Sequence, residues 1–316
     1  MKAVLLDAAS LGEDIDLAPV RALVDDLDIH PLTPPEATRD RLAGAMVALT
    51  NKVVLDAETL DALPSLKLIC VLATGTNNID MAAAERRGIV VRNVAAYGTA
   101  SVAQHTLMLM LALAAQLPRY QQDVKAGAWQ RSNIFCLLDH PTLQLADKHL
   151  VIVGSGVLGS AVAKLGEAFG MRVTFAARPG KEAEDSRPSL TSLLPEADVI
   201  SLHCPLTEAT RGLIDASALA TLKPGALLVN CARGGIIDEH AALAALRDGH
   251  LGGLAVDTLP TEPPRDGHAL LDALEEPLNL IVSPHNAWIT PEARQRVIEL
   301  TADNLRAWRH SHAPNP

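Results

Sequence analysis

The sequence predicts an α/β protein built on two parallel sheets. Short apolar runs alternate with Ala/Leu-rich helical segments along nearly the whole chain. The runs are continuously apolar, not alternating, which is the pattern of strands buried on both faces. One of them feeds directly into a glycine-rich turn at Gly154–Gly159.

At 316 residues the chain is long enough for two domains of roughly 100–200 residues each. The first series of strands is expected at Ala3–Leu6, Ala45–Leu49, Leu68–Leu72 and Ile89–Arg92. A long helix, about Ser101–Leu117, then reads as a bridge to a second series. That series runs His149–Val153, Arg172–Ala176, Val199–His203, Ala226–Asn230, Gly253–Val256 and Leu280–Ser283. Six strands in two βαβ-type halves are the content of a doubly wound dinucleotide-binding domain. After His285 only one substantial helix remains, about Pro291–Arg309, with Pro291 suited to its first turn. One helix cannot form a domain, so it is expected to return to the N-terminal half. The predicted organisation is a discontinuous domain of residues 1–98 plus 288–316, with a domain of residues 99–287 inserted in it. The polar stretch Gly180–Ser189 reads as a surface loop.

Composition narrows the function classes. The formal net charge of −10 argues against binding nucleic acid or an anionic membrane surface, both polyanions. An anionic substrate would have to be held by local cations against that field. Aromatic residues make up 3% of the chain, so the core must be built from Ala, Val, Leu and Ile. The cysteines Cys70, Cys136, Cys204 and Cys231 lie far apart with no C-x-x-C spacing, so neither a disulfide framework nor a metal site is expected. The apolar run Thr106–Leu117 is too short to cross a bilayer, and the chain begins directly with a strand pattern, Lys2–Asp7. A cytoplasmic protein is expected.

The strongest local signal is the strand Leu150–Val153 followed by Gly154-Ser-Gly156-Val157-Leu158-Gly159, with a helix expected over Ser160–Phe169. In G-x-G-x-x-G the first glycine permits the tight turn and the second lets backbone approach a pyrophosphate. The third permits close helix–strand packing. The amides of Val157 and Leu158, at the positive end of the helix, would then meet the phosphates. This is the fingerprint of a Rossmann-type domain. The next strand should end in the residue that reads the adenosine ribose. It ends in Ala177, followed by Arg178-Pro-Gly-Lys181, so no acid stands where one would accept a ribose 2′-hydroxyl. The cations favour NADP(H), with Arg178 as the main contact to a 2′-phosphate. NAD(H) remains the alternative, because Glu182 or Asp185 could reach the ribose.

Four further segments place polar groups just after predicted strands: Leu202–Thr207, Asn230–Gly235, Val256–Pro263 and Ser283–Trp288. Ligands of open α/β sheets bind outside the carboxyl ends of the strands, so these loops should share one crevice.

Together these segments resemble the D-isomer-specific 2-hydroxyacid dehydrogenase family, its glycerate dehydrogenase/hydroxypyruvate reductase branch in particular. The resemblance spans nearly the whole chain through Ala73–Asp80 (ATGTNNID), Tyr97–Gln104 (YGTASVAQ), the glycine loop, Arg233–Glu239 (RGGIIDE) and Pro284-His285. It implies a flavodoxin-like substrate domain around the Rossmann-type domain, and hydride transfer between NAD(P)H and a small 2-keto acid, hydroxypyruvate or glyoxylate. It maps the catalytic roles onto Arg233, Glu262 and His285. An imidazole at His285 can give and take the substrate proton near neutral pH. Glu262 would orient it, and Arg233 offers a planar fork for a carboxylate. The resemblance also places Thr74, Gly75 and Thr76 at the substrate carboxylate, and Thr74 at the cofactor. Asp257 would accept from the nicotinamide carboxamide, while Cys204, Pro205, Cys231 and Ala232 line the cofactor cleft. Thr106 is either a cofactor contact or a packing residue. The apolar helix Gln104–Leu117 corresponds to the family's dimer contact, so a homodimer is expected. No Lys/Arg cluster accompanies Thr74–Asn78, and no C-terminal regulatory domain is evident, which weakens a phosphorylated substrate. The alternatives are a bulkier branched 2-keto acid, or a dinucleotide-sensing protein without catalysis.

Overall fold

A computed structural model describes residues 1–312 of the chain. The last four residues of the expected segment 288–316 therefore lie outside the described residues. The chain divides into two compact units, one of Met1–Gly98 with the chain from Ile289 onward, the other of Thr99–Trp288.

In the first unit, β1 (Lys2–Leu5), β2 (Asp26–Ile29), β3 (Val47–Thr50), β4 (Leu68–Val71) and β5 (Val90–Asn93) form a parallel sheet in the order β2-β1-β3-β4-β5. That order is the flavodoxin-like one. β3 and β4 are buried along their whole length, as their continuous hydrophobicity required. Val4, Ala48, Ile69 and Val71 face one layer with Leu60 and Ala83, while Leu5, Val47, Leu49 and Leu68 face the other. The helix Pro291–His312 covers that second face with Val297, Ile298, Ala302 and Leu305. Each Val, Leu or Ile side chain so enclosed contributes about 1.5–3 kcal/mol relative to an exposed one. β2 is the strand that the hydrophobicity pattern missed. It reads Asp-Leu-Asp-Ile, pairs on one side only, and is half exposed, so its sequence carries charge where a central strand cannot.

In the second unit, β6 (His149–Val153), β7 (Arg172–Phe175), β8 (Val199–Leu202), β9 (Ala226–Asn230), β10 (Leu251–Val256) and β11 (Leu280–Val282) make a parallel sheet ordered β11-β10-β9-β8-β6-β7. The chain leaves β6 to form β7 on one side, then crosses to β8 on the other. The strand ends of β6 and β8 thus flank the topological switch point where such sheets bind ligands. The strands divide two and four about that point, not into equal halves.

The bridging helix is shorter than the sequence suggests. It runs Thr99–Ala114, and Gln116 then turns the chain with a left-handed φ of 54°. A second helix, Leu117–Lys125, leaves at 59° with Pro118 in its first turn. Pro118 cannot donate a backbone N–H and sterically opposes continuation of the first helix, which accounts for the break. Among the described residues no single helix is long and apolar enough to cross a membrane.

Candidate active site

Every polar loop singled out in the second half of the sequence follows a strand of the six-stranded sheet. Gly154–Gly159 follows β6, His203–Thr207 follows β8, Cys231–Gly235 follows β9, Asp257–Pro263 follows β10, and Ser283–Trp288 follows β11.

The glycine loop has the geometry that its spacing demands. Gly154 has φ +106°, and a Cβ there would lie 2.5 Å from the His203 carbonyl oxygen. A Cβ on Gly159 would lie 1.9 Å from the Gly154 carbonyl oxygen, so only glycine allows the helix to approach the loop this closely. Gly156 differs: a Cβ there would enter open space with no atom within 4 Å. The helix Val157–Ala168 starts at Gly156, whose lack of a side chain leaves the first amides uncapped. Open room above Gly156 and the free amides of Val157 and Leu158 fit a dinucleotide pyrophosphate.

His285 and Glu262 meet. The imidazole Nδ1 lies 2.6 Å from the Glu262 carboxylate, with about 30% of each side chain exposed. The other Glu262 oxygen accepts the Leu259 amide at 2.9 Å. The carboxylate is thus fixed to its own loop and in turn fixes the ring through Nδ1. Arg233 is exposed, and one arm of its guanidinium donates to the neighbouring Ala232 carbonyl at 2.7 Å. Gly234 packs against the Leu259–Pro260 backbone, so the loop carrying Arg233 touches the loop carrying Glu262 through a residue with no side chain.

Asp257 is 1% exposed. Its carboxylate accepts the Asn286 amide at 3.0 Å, the Ala287 amide at 3.1 Å and the Ser283 hydroxyl at 2.6 Å. It therefore holds the turn that carries His285, a task invisible in the sequence. Cys204, Cys231 and Ala232 are almost wholly buried beside the same strand ends, while Pro205 is exposed. Burial raises the Cys204 thiol to about 11 and the Cys231 thiol to about 12, which keeps both protonated and unreactive. Thr106 is fully buried and its hydroxyl donates to the Val102 carbonyl one turn back. That bond ties the hydroxyl to its own helix, beside the Cys231 thiol.

Beyond β7, Arg178 is exposed with its side chain free of any ion pair among the described residues. Its amide donates to Asp185, whose carboxylate also takes the Arg187 Nε at 2.8 Å. Arg187 lowers the Asp185 carboxyl well below the usual carboxylate range. Glu182 accepts the Gly180 amide. Both acids are thus engaged within their own loop, and Arg187 is a third cation there, beside Arg178 and Lys181, that sequence reasoning missed. In the first unit, Thr74, Gly75 and Thr76 form the turn after β4. The Thr74 carbonyl is held by the Asn93 side chain at 2.6 Å, and the Thr76 carbonyl by the Ile79 amide at 3.0 Å.

The sequence pattern described as the D-isomer specific 2-hydroxyacid dehydrogenase, NAD binding domain, matches residues 107–287. The chain is 44% identical over 275 residues to a glycerate dehydrogenase of Methylorubrum extorquens, covering 87% of this chain and 86% of that one. It is 34% identical over 312 residues to a hydroxypyruvate reductase of Blautia hydrogenotrophica, covering 96% of both. A crystal structure of a Thermus thermophilus protein superposes with a TM-score of 0.83 at 33% identity, over 100% of this chain and 99% of that one. The chain belongs to the D-isomer specific 2-hydroxyacid dehydrogenases, oxidoreductases that bind a nicotinamide dinucleotide and act on a CH–OH group.

Proposed function

We propose that this enzyme reduces hydroxypyruvate or glyoxylate to the corresponding 2-hydroxy acid, and so also works as a D-glycerate dehydrogenase. The observation that carries the reading is the 2.6 Å contact between His285 Nδ1 and Glu262, which leaves Nε2 free to handle a substrate proton. The bound dinucleotide supplies or accepts the hydride. In reduction, His285 Nε2 gives its proton to the carbonyl oxygen, and in oxidation it takes the proton back. Glu262 holds the ring in the orientation needed, as a carboxylate does for other working histidines. Arg233 directs the free part of its fork at the substrate carboxylate, and in the other unit the turn Thr74–Thr76 offers amides suited to binding an anion. Asp257 keeps acceptor capacity for the nicotinamide carboxamide, since a carboxylate has about four lone-pair sites. On this reading residues 99–287 form the dinucleotide-binding domain, and residues 1–98 plus 288–316 the substrate domain.

NADP(H) is the preferred cofactor. Support comes from Ala177 at the end of the strand, from exposed Arg178, and from the engagement of Asp185 and Glu182 within their own loop. The enzyme works as a homodimer, supported by exposed apolar side chains along Met108, Leu111, Ile134, Phe135 and Leu138, of which Phe135 is 90% exposed. Its four free thiols, three of them buried, fit a reducing cytoplasm. The test is a panel of small 2-keto acids assayed with NADH and NADPH, beside His285→Ala. Highest kcat/KM on hydroxypyruvate or glyoxylate with NADPH is expected, with turnover lost and dinucleotide binding kept in the variant. Best turnover on a bulky branched acid, or equal turnover by His285→Ala, would overturn the reading. A strong NADH preference would remove the cofactor assignment alone, and a stable monomer at micromolar concentration in sedimentation would remove the dimer.

A further inference from the structure

His285 carries its imidazole on a backbone that does not hold itself in place. Its φ is +53°, in the left-handed region that residues with a Cβ seldom occupy, and it has no glycine's freedom there. Its amide donates to the Asp257 carbonyl at 2.8 Å and to the Ser283 carbonyl at 3.0 Å, which closes a tight turn over Ser283–Ala287. Something outside the turn must keep both of its ends still.

The helix Thr99–Ala114 supplies those anchors. Ser101, almost wholly buried, donates its hydroxyl to the Ala287 carbonyl at 2.6 Å. One turn further along, His105 places Nε2 3.0 Å from the Ser283 hydroxyl and 3.5 Å from Asp257 Oδ1. Residues four apart share a helix face, so one stripe of the helix grips the first and the last residue of the catalytic turn. Hydrogen-bond counting fixes the direction of the His105 contact. Ser283 has a single hydroxyl proton and gives it to Asp257 Oδ1 at 2.6 Å. Toward His105 the Ser283 oxygen can therefore only accept, so Nε2 of His105 carries a hydrogen and donates it. The result is a directed chain, from His105 N–H to the Ser283 hydroxyl to the Asp257 carboxylate, ending at the group that also holds Asn286 and Ala287.

We propose that Ser101 and His105 are positioning residues for the catalytic turn: from one face of the bridging helix they fix the backbone that presents His285. This rests on His285 being the acid–base residue. Neither side chain needs to touch substrate or dinucleotide for the effect, because an imidazole displaced by a fraction of an ångström misses the proton it must transfer. The helix therefore serves catalysis as well as packing, although its sequence reads as an apolar core segment.

The experiment compares His105→Leu, His105→Gln, Ser101→Ala and His285→Ala in the full-length enzyme, with kcat, the KM of each substrate, dinucleotide affinity and the thermal midpoint measured for each. Leucine fills the space without a donor, whereas glutamine restores an N–H near the position of Nε2. His105→Leu is expected to lower kcat about 10-fold while dinucleotide affinity holds, because the glycine loop is untouched, and His105→Gln to recover most of the loss. Ser101→Ala releases the other end of the turn and should also lower kcat. It supplies the same readout if His105→Leu does not fold. Wild-type kcat in His105→Leu or in Ser101→Ala would overturn the proposal. So would equal losses in the leucine and glutamine variants, which would mark His105 as a packing residue. A His285→Ala enzyme that turns over normally would instead overturn the functional reading on which the proposal stands.

Discussion

Replacing Gly234 by alanine should separate the two loops that carry Arg233 and Glu262. A Cβ at this position would lie 2.1 Å from the Leu259 carbonyl carbon, 2.2 Å from the Pro260 nitrogen and 2.4 Å from the Leu259 carbonyl oxygen. All three are backbone atoms, so no flexible side chain can swing aside. Ordinary van der Waals contact begins near 3.4 Å, so the loops must part by about 1.3 Å. Leu259 holds Glu262 through its amide, and Glu262 holds His285, so the displacement is passed on to the proposed acid–base pair. A misplacement of about 1 Å costs on the order of 100-fold in rate, or about 2.7 kcal/mol of transition-state stabilisation. Overpacking itself costs about 1–3 kcal/mol of stability. The assay is kcat/KM from nicotinamide absorbance, with dinucleotide affinity by fluorescence titration and the thermal midpoint measured alongside. A loss of about 100-fold in kcat/KM with dinucleotide affinity near wild type is expected. Wild-type kcat/KM in a folded Gly234→Ala enzyme would refute the reasoning, as would a defect confined to dinucleotide affinity.

Gly156→Ala should leave the thermal midpoint almost unchanged, since its Cβ meets nothing within 4 Å, yet weaken dinucleotide binding about 10-fold or more by filling the cradle. An unchanged dissociation constant would show that the pyrophosphate does not lie there. Glu262→Gln keeps the shape of the side chain and removes its charge, so kcat should fall about 10- to 100-fold with little change in dinucleotide affinity; steady-state kinetics decide it. His203 supplies a pH dependence. Burial lowers its imidazole from 6.5 to about 4, so between those values the unfolded chain binds a proton that the native protein refuses. Stability is then full above pH 6.5 and falls as the pH drops toward 4, by about 3 kcal/mol for this residue. In denaturant titrations at several pH values, His203→Gln should show a shallower acid loss than the wild type, and parallel curves would reject this account.

The glycine loop and the proposed catalytic set stand out in the sequence because each depends on residues close to the end of a buried strand. Gly154, Gly156 and Gly159 lie within one turn, and Arg233, Glu262 and His285 each follow a strand whose hydrophobicity announces it. Other features were hidden for physical reasons. β2 carries two aspartates because an edge strand needs only half of its surface buried, so no apolar run marks it. The break at Gln116 had a signal in Pro118, but the apolar content of the bridging helix masked it. The tie between Asp257 and the Ser283–Ala287 turn joins segments about thirty residues apart, and no local pattern encodes a contact at that distance. Arg187 was overlooked because its meaning lies in the carboxylate it occupies, Asp185, and not in its own position.

The division of the chain into two units bears on how one chemistry serves different 2-keto acids. The His285–Glu262 pair, its supporting amide from Leu259 and the turn held by Asp257 all lie within Thr99–Trp288. So do the glycine loop and Arg233. On the proposed reading, the groups that act on the reacting carbon belong to one compact body, in which His285 and Glu262 are already paired. Such preorganisation lowers the reorganisation needed at the moment of reaction. The turn Thr74–Thr76 belongs to the other unit and is fixed there by Asn93 and Ile79. On the proposed reading, changes in that unit alter which carboxylate-bearing molecule is accepted without disturbing His285 and Glu262. Substitutions around Thr74–Thr76 should then redistribute kcat/KM among small 2-keto acids, whereas substitutions at Gly234 or Glu262 should depress all of them together. A Glu262→Gln enzyme that lost one keto acid and kept another would contradict this separation, because a group acting on the shared proton transfer cannot discriminate between substrates that differ only beyond it.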